Sequence, residues 1–256
     1  MKVTFLGTGT SQGVPVIACQ CAVCQSTDTR DKRLRTSIMI QLHDETCIVV
    51  DTGPDFRYQM LREDVRRLDA VLVTHAHKDH IAGMDDVRAF NYQQQQPIPI
   101  YGTPITHEAL KREFYYAFGE QKYPGVPRLE LRQIVAGETF RIGAQSIVPI
   151  EVVHYKMPVM GFRIGDFAYI TDAKTVSDES KALLKGVKTL VVNALQEEPH
   201  ISHFTKDEAT AFADELQAET TYFTHISHRF GKHADIEKTL PASIHLAYDG
   251  LVIEVE

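Results

Sequence analysis

Nothing in this chain of 256 residues approaches the roughly 20 consecutive apolar residues that a bilayer-spanning helix requires. The apolar part of the opening Met1-Lys2-Val3-Thr4-Phe5-Leu6 is also too short for a secretion signal, so cytoplasmic residence is the expectation. A cationic excess is missing as well: 27 Lys and Arg face 34 Asp and Glu, a net charge of −7. Binding to a nucleic-acid backbone works by displacing phosphate counterions with a basic stripe, and this balance argues against such a surface. It leaves room for a small anionic ligand neutralised by metals and a few local cations. No linker interrupts the chain, and 43% hydrophobic residues over this length suit one domain spanning 1–256. Cysteine is scarce, with four residues in all, which is no disulfide framework.

What is present is concentrated. Thr74-His75-Ala76-His77-Lys78-Asp79-His80 follows the apolar run Ala70-Val71-Leu72-Val73, placing three imidazoles and a carboxylate within six positions. An extended chain points alternate side chains to one face, so His75 and His77 can reach one ion together. The next turn carries Asp79 and His80 toward a second. Imidazole and carboxylate mixtures suit Zn²⁺ or Mn²⁺, whereas Ca²⁺ and Mg²⁺ take mostly oxygen. A chance His-rich surface loop would lack the flanking apolar strand and the amphipathic stretch 81–90. His154, Asp172 and His225 each terminate a further apolar run, at 147–153, 167–171 and 221–224. Taken singly, such a residue is more often an ordinary strand-end cap or a hydrogen-bonded histidine.

A second cluster is Cys19-Gln20-Cys21-Ala22-Val23-Cys24. Three thiols so close cannot pair among themselves without strain and a leftover, and they suit a closed tetrahedral Zn²⁺ site lacking one ligand. His228, in Thr224-His225-Ile226-Ser227-His228, is the preferred fourth ligand, with His233 the alternative. Cys47 lies among Ile48 and Val49 and reads as a small buried hydrophobe.

The period-2 runs predict strands at 2–6, 36–42, 46–51, 70–73 and 98–101, then 139–142, 145–153, 160–164, 167–171, 188–193, 220–224, 243–247 and 251–255. Helices are predicted from Pro54 to about Glu63 and near 84–90, 104–117, 177–185 and 205–217, the last with Ser202 or Thr205 as N-cap. Strand clusters in each half, interleaved with amphipathic helices, suit two sheets packed face to face.

The His75–His80 segment resembles the HxHxDH signature of the metallo-β-lactamase superfamily. That resemblance implies an α/β fold, the four-layer αββα sandwich of two mixed sheets with helices outside. It further implies one divalent ion, Zn²⁺ or Mn²⁺, held by His75, His77 and His154, and a second held by Asp79, His80 and His225. Asp172 would bridge them, and the pair would share a hydroxide aimed at a phosphorus or carbonyl centre. Asp51, at the end of its strand, is placed like the family's aspartate that receives a ligand histidine's N–H.

The opening Phe5-Leu6-Gly7-Thr8-Gly9-Thr10-Ser11-Gln12-Gly13-Val14-Pro15, the cysteine cluster and the Thr-His-Ile-Ser-His segment look like the branch of phosphoribosyl 1,2-cyclic phosphate phosphodiesterases of phosphonate breakdown. Members of that branch carry a three-Cys, one-His structural zinc. The implied activity is hydrolysis of a small phosphodiester, cyclic nucleotide-like or phosphoribosyl, with Asp79 and His203 central to catalysis. His203 matches the general acid, and His200 stays open beside it. The Gly-rich opening is either a source of N–H groups for a phosphate or a tight strand exit.

Asp51-Thr52-Gly53-Pro54-Asp55-Phe56-Arg57 is closer to a relative associated with pyrroloquinoline quinone biosynthesis, which makes a non-catalytic cofactor-handling protein one alternative. A tRNA 3′-end endonuclease is another, disfavoured by the negative charge and by the lack of a long basic arm. The aromatic, Gly- and Pro-rich segment 118–128 is read as a loop able to overhang the cleft. A homodimer is the family-level expectation.

Overall fold

The computed structural model describes residues 1–119 and 123–255. Strict alternation along the strands builds the layers. In the first sheet, β1 (Lys2–Gly7), β2 (Ser37–Gln41), β3 (Cys47–Val50) and β4 (Ala70–Leu72) turn Val3, Phe5, Ile38, Ile40, Ile48, Val50 and Leu72 inward. Leu6, Met39, Val49 and Val71 face the opposite way and pack under helices. The second sheet answers with Phe162, Ile164, Phe167, Tyr169 and Val191 on the shared core and Val159, Ala168, Ile170, Leu190 and Val192 outside. Two buried faces per sheet, each with its own apolar set, produce an αββα sandwich.

The first sheet has the order β14-β1-β2-β3-β4-β5-β6, in which β5 is Ile98–Gly102, β6 Leu129–Gln133 and β14 Val252–Glu254. The second runs β13-β12-β11-β10-β9-β8-β7. Its strands are β7 (Phe140–Ile142), β8 (Gln145–His154), β9 (Met157–Ile164), β10 (Phe167–Ile170), β11 (Thr189–Asn193), β12 (Thr220–Thr224) and β13 (Ile244–Leu246). Both sheets are mixed. Strands β3 to β6 and β10 to β13 pair parallel, and the rest antiparallel. Parallel pairing requires crossovers, which the helices supply.

On the first sheet these are α1 (Phe56–Arg62), α2 (Lys78–Ile81), α3 (Arg88–Gln94), α4 (Pro104–Glu113) and α5 (Tyr115–Phe118). On the second are α6 (Asp178–Leu184) and α7 (Lys206–Leu216), followed by the short α8 (His233–Ile236). Thr205 caps α7 in a full capping box with Glu208, so of the two candidate caps Ser202 is free for another role.

Local departures from the sequence reading have identifiable causes. Strand β6 went unpredicted because Leu129-Glu-Leu-Arg-Gln is a largely solvent-facing edge, where charge replaces the apolar signal. The helix expected over 104–117 breaks at Phe114, whose backbone (φ −114, ψ 39) leaves the helical region. The helix expected near 84–90 begins as a 3₁₀ turn at Met84–Val87. Pro54 stands before α1 rather than in it, and Asp55 gives its carboxylate to the backbone and guanidinium of Arg35 instead of capping.

The Gly-rich opening is a strut. Gly9 N–H donates to Leu34 O, Thr10 N–H to Ile226 O and Gly13 N–H to Thr10 O, so these donors are already engaged by backbone. A Cβ on Gly7 would meet Arg35 O at 2.0 Å, which is why glycine stands there. Buried Arg33 ties the strut to the last strands, donating to Thr8 Oγ1 at 2.8 Å and Ala247 O at 2.5 Å. Its other arm donates to His233 Nδ1 at 3.3 Å.

Burial, then the charges of Arg33 and Arg30, push the His233 pKa down from 6.5 to about 4. A depressed folded-state pKa gives stability that is present above 6.5 and lost as pH falls through about 4. Chemical denaturation of wild type and His233→Gln across that interval should show wild type losing on the order of 2 kcal/mol more than the variant. Parallel curves would show that His233 is not held neutral.

Candidate metal centre

The strand ends of both sheets deliver the polar residues to one place. Asp51 follows β3, His75 follows β4, and Asp79 and His80 stand on α2. His154 is the last residue of β8, while Asp172 and His225 follow β10 and β12. Asp51, Asp172 and His225 all have left-handed backbone, with φ of 65, 58 and 56. That conformation is uncommon outside glycine, though less so for Asp and His, and it turns each side chain off the strand axis.

Asp172 is the meeting point. Its Oδ2 lies 3.8 Å from His75 Nε2, while its Oδ1 lies 3.5 Å from His80 Nε2 and 3.4 Å from His225 Nε2. Asp79 Oδ2 stands 3.2 Å from His80 Nε2 and 3.7 Å from His225 Nε2. His75 Nε2 lies 3.0 Å from His77 Nδ1, and the His154 ring centroid is 5.2 Å from that of His77 and 5.9 Å from that of His75. Ligand-capable atoms therefore gather as Asp79, His80, Asp172 and His225 on one side, and His75, His77 and Asp172 on the other. Six of the seven residues expected in the dinuclear set fall in these two groups, while the ligand atom of His154 is grouped with Asp172 and His203.

His203 belongs here too, with its ligand atom grouped with those of His154 and Asp172. Its ring centroid is 4.5 Å from that of His154 and 4.7 Å from that of His225. His200 is farther out, its ring 5.2 Å from that of His203. The sequence reading names His203 ahead of His200 as the general acid, and His203 is the one whose ring stands against those of His154 and His225. What brings it there is a bond between His154 Nδ1 and Ser202 O at 2.8 Å, which draws the segment before α7 onto the strand end.

The electrostatics call for cations. Burial works against charge on Asp172, yet His225, His80 and His75 hold its carboxyl well below the usual range. Burial likewise opposes charge on His80, but Asp172, Asp51 and Asp79 raise its pKa well above the ordinary value. His75 is driven the other way, first by burial and then by the charge of His80. His80 Nε2, both ring nitrogens of His225 and His203 Nδ1 are buried without a hydrogen-bond partner. Buried polar atoms ordinarily find partners. Unpartnered imidazole nitrogens facing ionised carboxylates are what a divalent-cation site presents, so the residues fit the group that the motif implies.

Behind the ligands stands a layer that aims them. Asp51 is fully buried, with Oδ2 2.6 Å from His80 Nδ1, and it accepts from Thr74 N and Thr74 Oγ1, each at 2.8 Å. The N–H of His80 is thereby fixed on Nδ1, leaving Nε2 free to face the site. Thr74 went unnoticed in the sequence, because a threonine ending a strand carries no distinguishing signal.

The cysteine cluster also closes in space. Sγ of Cys19, Cys21 and Cys24 stand 3.2, 3.4 and 3.6 Å from His228 Nδ1. The Cys24 backbone N–H pulls the Cys21 pKa down to about 6 against burial, while burial pushes that of Cys24 up to about 11. His233, the alternative ligand, is engaged by Arg33 and outside this group. Cys47 is buried in β3, its thiol pushed up to about 12 by burial.

An open depression of about 380 Å³ lies beside the candidate ligands His77 and His154, lined also by Tyr155, Lys156, Met157, Ile201 and Ser202. In the segment 118–128, residues 120–122 lie outside the described residues. Its Tyr123, Gly125 and Val126 line a separate depression with Arg88, Tyr92 and Tyr116, away from the first. A larger cavity of about 640 Å³, lined by Met1, Lys2, Cys47 and Glu254 among others, lies at the opposite strand ends from the histidines. Among the described residues no helix is long and apolar enough to cross a membrane.

Known proteins share this architecture. The crystal structure of a diphosphatase from the PhnP family superposes with a TM-score of 0.93 at 40% identity, covering 100% of this chain and 98% of that one. Zinc-bound PqqB from Methylobacterium extorquens gives 0.78 at 20% identity with both chains fully covered, a likeness of fold. A Porphyromonas gingivalis (strain ATCC BAA-308 / W83) protein named octanoyltransferase is 34% identical over 252 residues, 98% of this chain and 51% of that protein. This chain thus spans about half the length of that curated relative. Residues 46–226, which include every histidine and aspartate of the centre, match the model of the β-lactamase superfamily domain. The chain belongs to the metallo-β-lactamase superfamily and has the fold of its metal-dependent hydrolases.

Proposed function

We propose that the protein is a dinuclear metal-dependent phosphodiesterase acting on a small organic phosphodiester, cyclic or open. The observation that carries the reading is Asp172, whose two carboxylate oxygens face the two halves of one histidine cluster. His75, His77 and His154 would hold one ion and Asp79, His80 and His225 the other, with Asp172 common to both. Zn²⁺ and Mn²⁺ both suit five imidazoles and two carboxylates. Two such ions supply Lewis acidity and a water of lowered pKa. Kinship with a PhnP-family diphosphatase at 40% identity supports chemistry at phosphorus.

The chain's own groups supply orientation and protons. Asp51 keeps the His80 proton on Nδ1, and Ser202 O takes that of His154. His203 delivers a proton to the departing oxygen. Burial, then the neighbouring His225, push its pKa down to about 2, and the negative charge of a bound phosphate would act in the opposite direction. The three cysteines and His228 would hold one structural Zn²⁺, which would tie the loop 16–25 to the segment that carries His228. The complete ligand set weighs against a non-catalytic cofactor handler. The net charge and the lack of a long basic, Gly- and Pro-rich arm in the sequence weigh against a tRNA endonuclease.

Metal-loaded protein should cleave bis-p-nitrophenyl phosphate and leave p-nitrophenyl phosphate nearly untouched, with diester cleavage lost in Asp79→Ala while circular dichroism stays native. Absence of diester cleavage at full metal occupancy would contradict the reading. His203→Ala should slow alkoxide-leaving substrates by about 10²–10⁴-fold and p-nitrophenolate-leaving ones far less. Equal losses would remove His203 as the acid.

In Asp51→Asn, metal competition with a chelator should show roughly 10–100-fold weaker binding at one catalytic ion. An unchanged affinity would mean that His80 is oriented by something else. His228→Ala should lower zinc content by one equivalent and the melting temperature with it, leaving the catalytic equivalents in place. Retention of all zinc would show that the three thiols hold no ion with His228.

A further inference from the structure

The histidines at the centre differ in what holds their rings. His80 has Asp51 at its Nδ1, and His154 has the carbonyl of Ser202 at its own. His225 has no such partner, since both of its ring nitrogens are buried without a hydrogen bond. A ligand histidine ordinarily has its second nitrogen engaged, which fixes the ring. For His225 that task falls to the residues on either side of it. Ile226 is pinned to the opening strut, its N–H donating to Thr8 O at 2.8 Å and its carbonyl accepting from Thr10 N–H at 3.1 Å. Thr224 ends β12, and its hydroxyl lies 3.0 Å from that of Thr36, directly before β2 of the other sheet.

Thr36 and Ser37 form a clasp between the sheets. Thr36 Oγ1 also stands 3.4 Å from the phenol of Tyr169 on β10, and Ser37 Oγ donates to Asp51 O at 3.0 Å. Thr36 is 1% exposed, and Ser37, Asp51, Tyr169 and Thr224 are not exposed at all. Buried hydroxyls ordinarily find partners, and here they find one another. Burial, then the charge of Asp51, raise the Tyr169 pKa, so the phenol keeps its proton. The arrangement that engages all three oxygens has Tyr169 donating to Thr36 and Thr36 donating to Thr224. Residues 36 and 37 thereby join the strand end that carries Asp51, behind His80, to the strand end that carries His225. The rings of His80 and His225 lie 6.0 Å apart and within 12° of parallel, with Nε2 at 3.5 and 3.4 Å from Asp172 Oδ1.

We propose that Thr36, held by Tyr169, is a positioning residue for the cation site of Asp79, His80 and His225, setting where His225 stands relative to His80. This rests on the two-ion reading given above. Thr36 touches no ligand atom and acts through Thr224 on the backbone of His225, so its loss loosens one ion and spares the other.

The test is titration of Mn²⁺, an ion that thiolates bind poorly, into the protein against a chelator, with electron paramagnetic resonance separating single from spin-coupled ions. Thr36→Val keeps the branched shape without the hydroxyl. It should weaken one of the two ions by about tenfold or more and the other by less than about twofold, so that the coupled signal appears only at higher Mn²⁺. Thr36→Ser should restore wild-type affinity. Tyr169→Phe should weaken the same ion by a smaller factor and add nothing to Thr36→Val, because it acts through Thr36. In Asp79→Ala, which lacks a ligand of that site, adding Thr36→Val should leave the remaining ion's affinity unchanged.

Two unchanged affinities in a folded Thr36→Val overturn the proposal. So does equal weakening of both ions, or a loss that Thr36→Ser does not restore, since either marks a general structural role. If Thr36→Val does not fold, Tyr169→Phe carries the test, and the absence of a loss confined to one ion overturns the proposal. Wild type that binds a single Mn²⁺ at the centre sinks the two-ion reading, and this inference with it.

Discussion

Everything at the centre depends on one buried carboxylate. Asp172 is 2% exposed, and burial alone would neutralise it. It stays ionised because imidazoles surround it on both sides, and those imidazoles come from both sheets. The sandwich is the device that makes this meeting possible. Parallel strands β3 and β4 in one sheet and β10 to β12 in the other all end at the same rim, so their following residues project into a shared space. The left-handed backbone at Asp51, Asp172 and His225 turns the chain sharply there, a strain that close-packed strands behind it can hold.

Support for the ligands is layered. Thr74 and Asp51 fix His80 from beneath the rim, and the carbonyl of Ser202 fixes His154 from the side. Gly53 and Gly83 let the chain after β3 press against α2: a Cβ on Gly53 would lie 2.1 Å from Asp79 O, and one on Gly83 2.1 Å from Gly53 O. Hydrogen bonds from Thr52 N to His80 O and from Gly83 N to Thr52 O close the same contact. The metal-bearing turn is therefore set by backbone packing as well as by its own side chains. Arg33 and the strut 7–13 play the corresponding part at the C-terminal strands, next to the segment that carries His225 and His228.

Much of this was legible in the residues. Apolar runs marked most of the strands, and Asp51, His154, Asp172 and His225 marked the polar tips of four of them, because fully buried strands are continuous in apolar character and a polar residue at their end stands out. The HxHxDH segment and the three close cysteines announced themselves by residue type and spacing. Strand β6 did not, since an edge strand written Leu-Glu-Leu-Arg-Gln lacks that contrast. Thr74 and the contact that draws the 200–205 segment onto His154 were also hidden. Each depends on contacts between segments far apart in the chain, Thr74 with Asp51 and the 200–205 segment with His154, and neither contact has a local signature. The Gly-rich opening misled in one of its two readings, because glycine spacing looks the same whether the free N–H groups meet a phosphate or, as here, neighbouring backbone.

The central claim is that one carboxylate joins two cation sites. Anomalous diffraction from metal-loaded crystals, collected on either side of the zinc and manganese absorption edges, tests it most directly. The account predicts two ions flanking Asp172, one against His75, His77 and His154 and the other against Asp79, His80 and His225, with a separate zinc among Cys19, Cys21, Cys24 and His228. A single ion or none beside Asp172, in crystals whose cysteine group is filled, would contradict it.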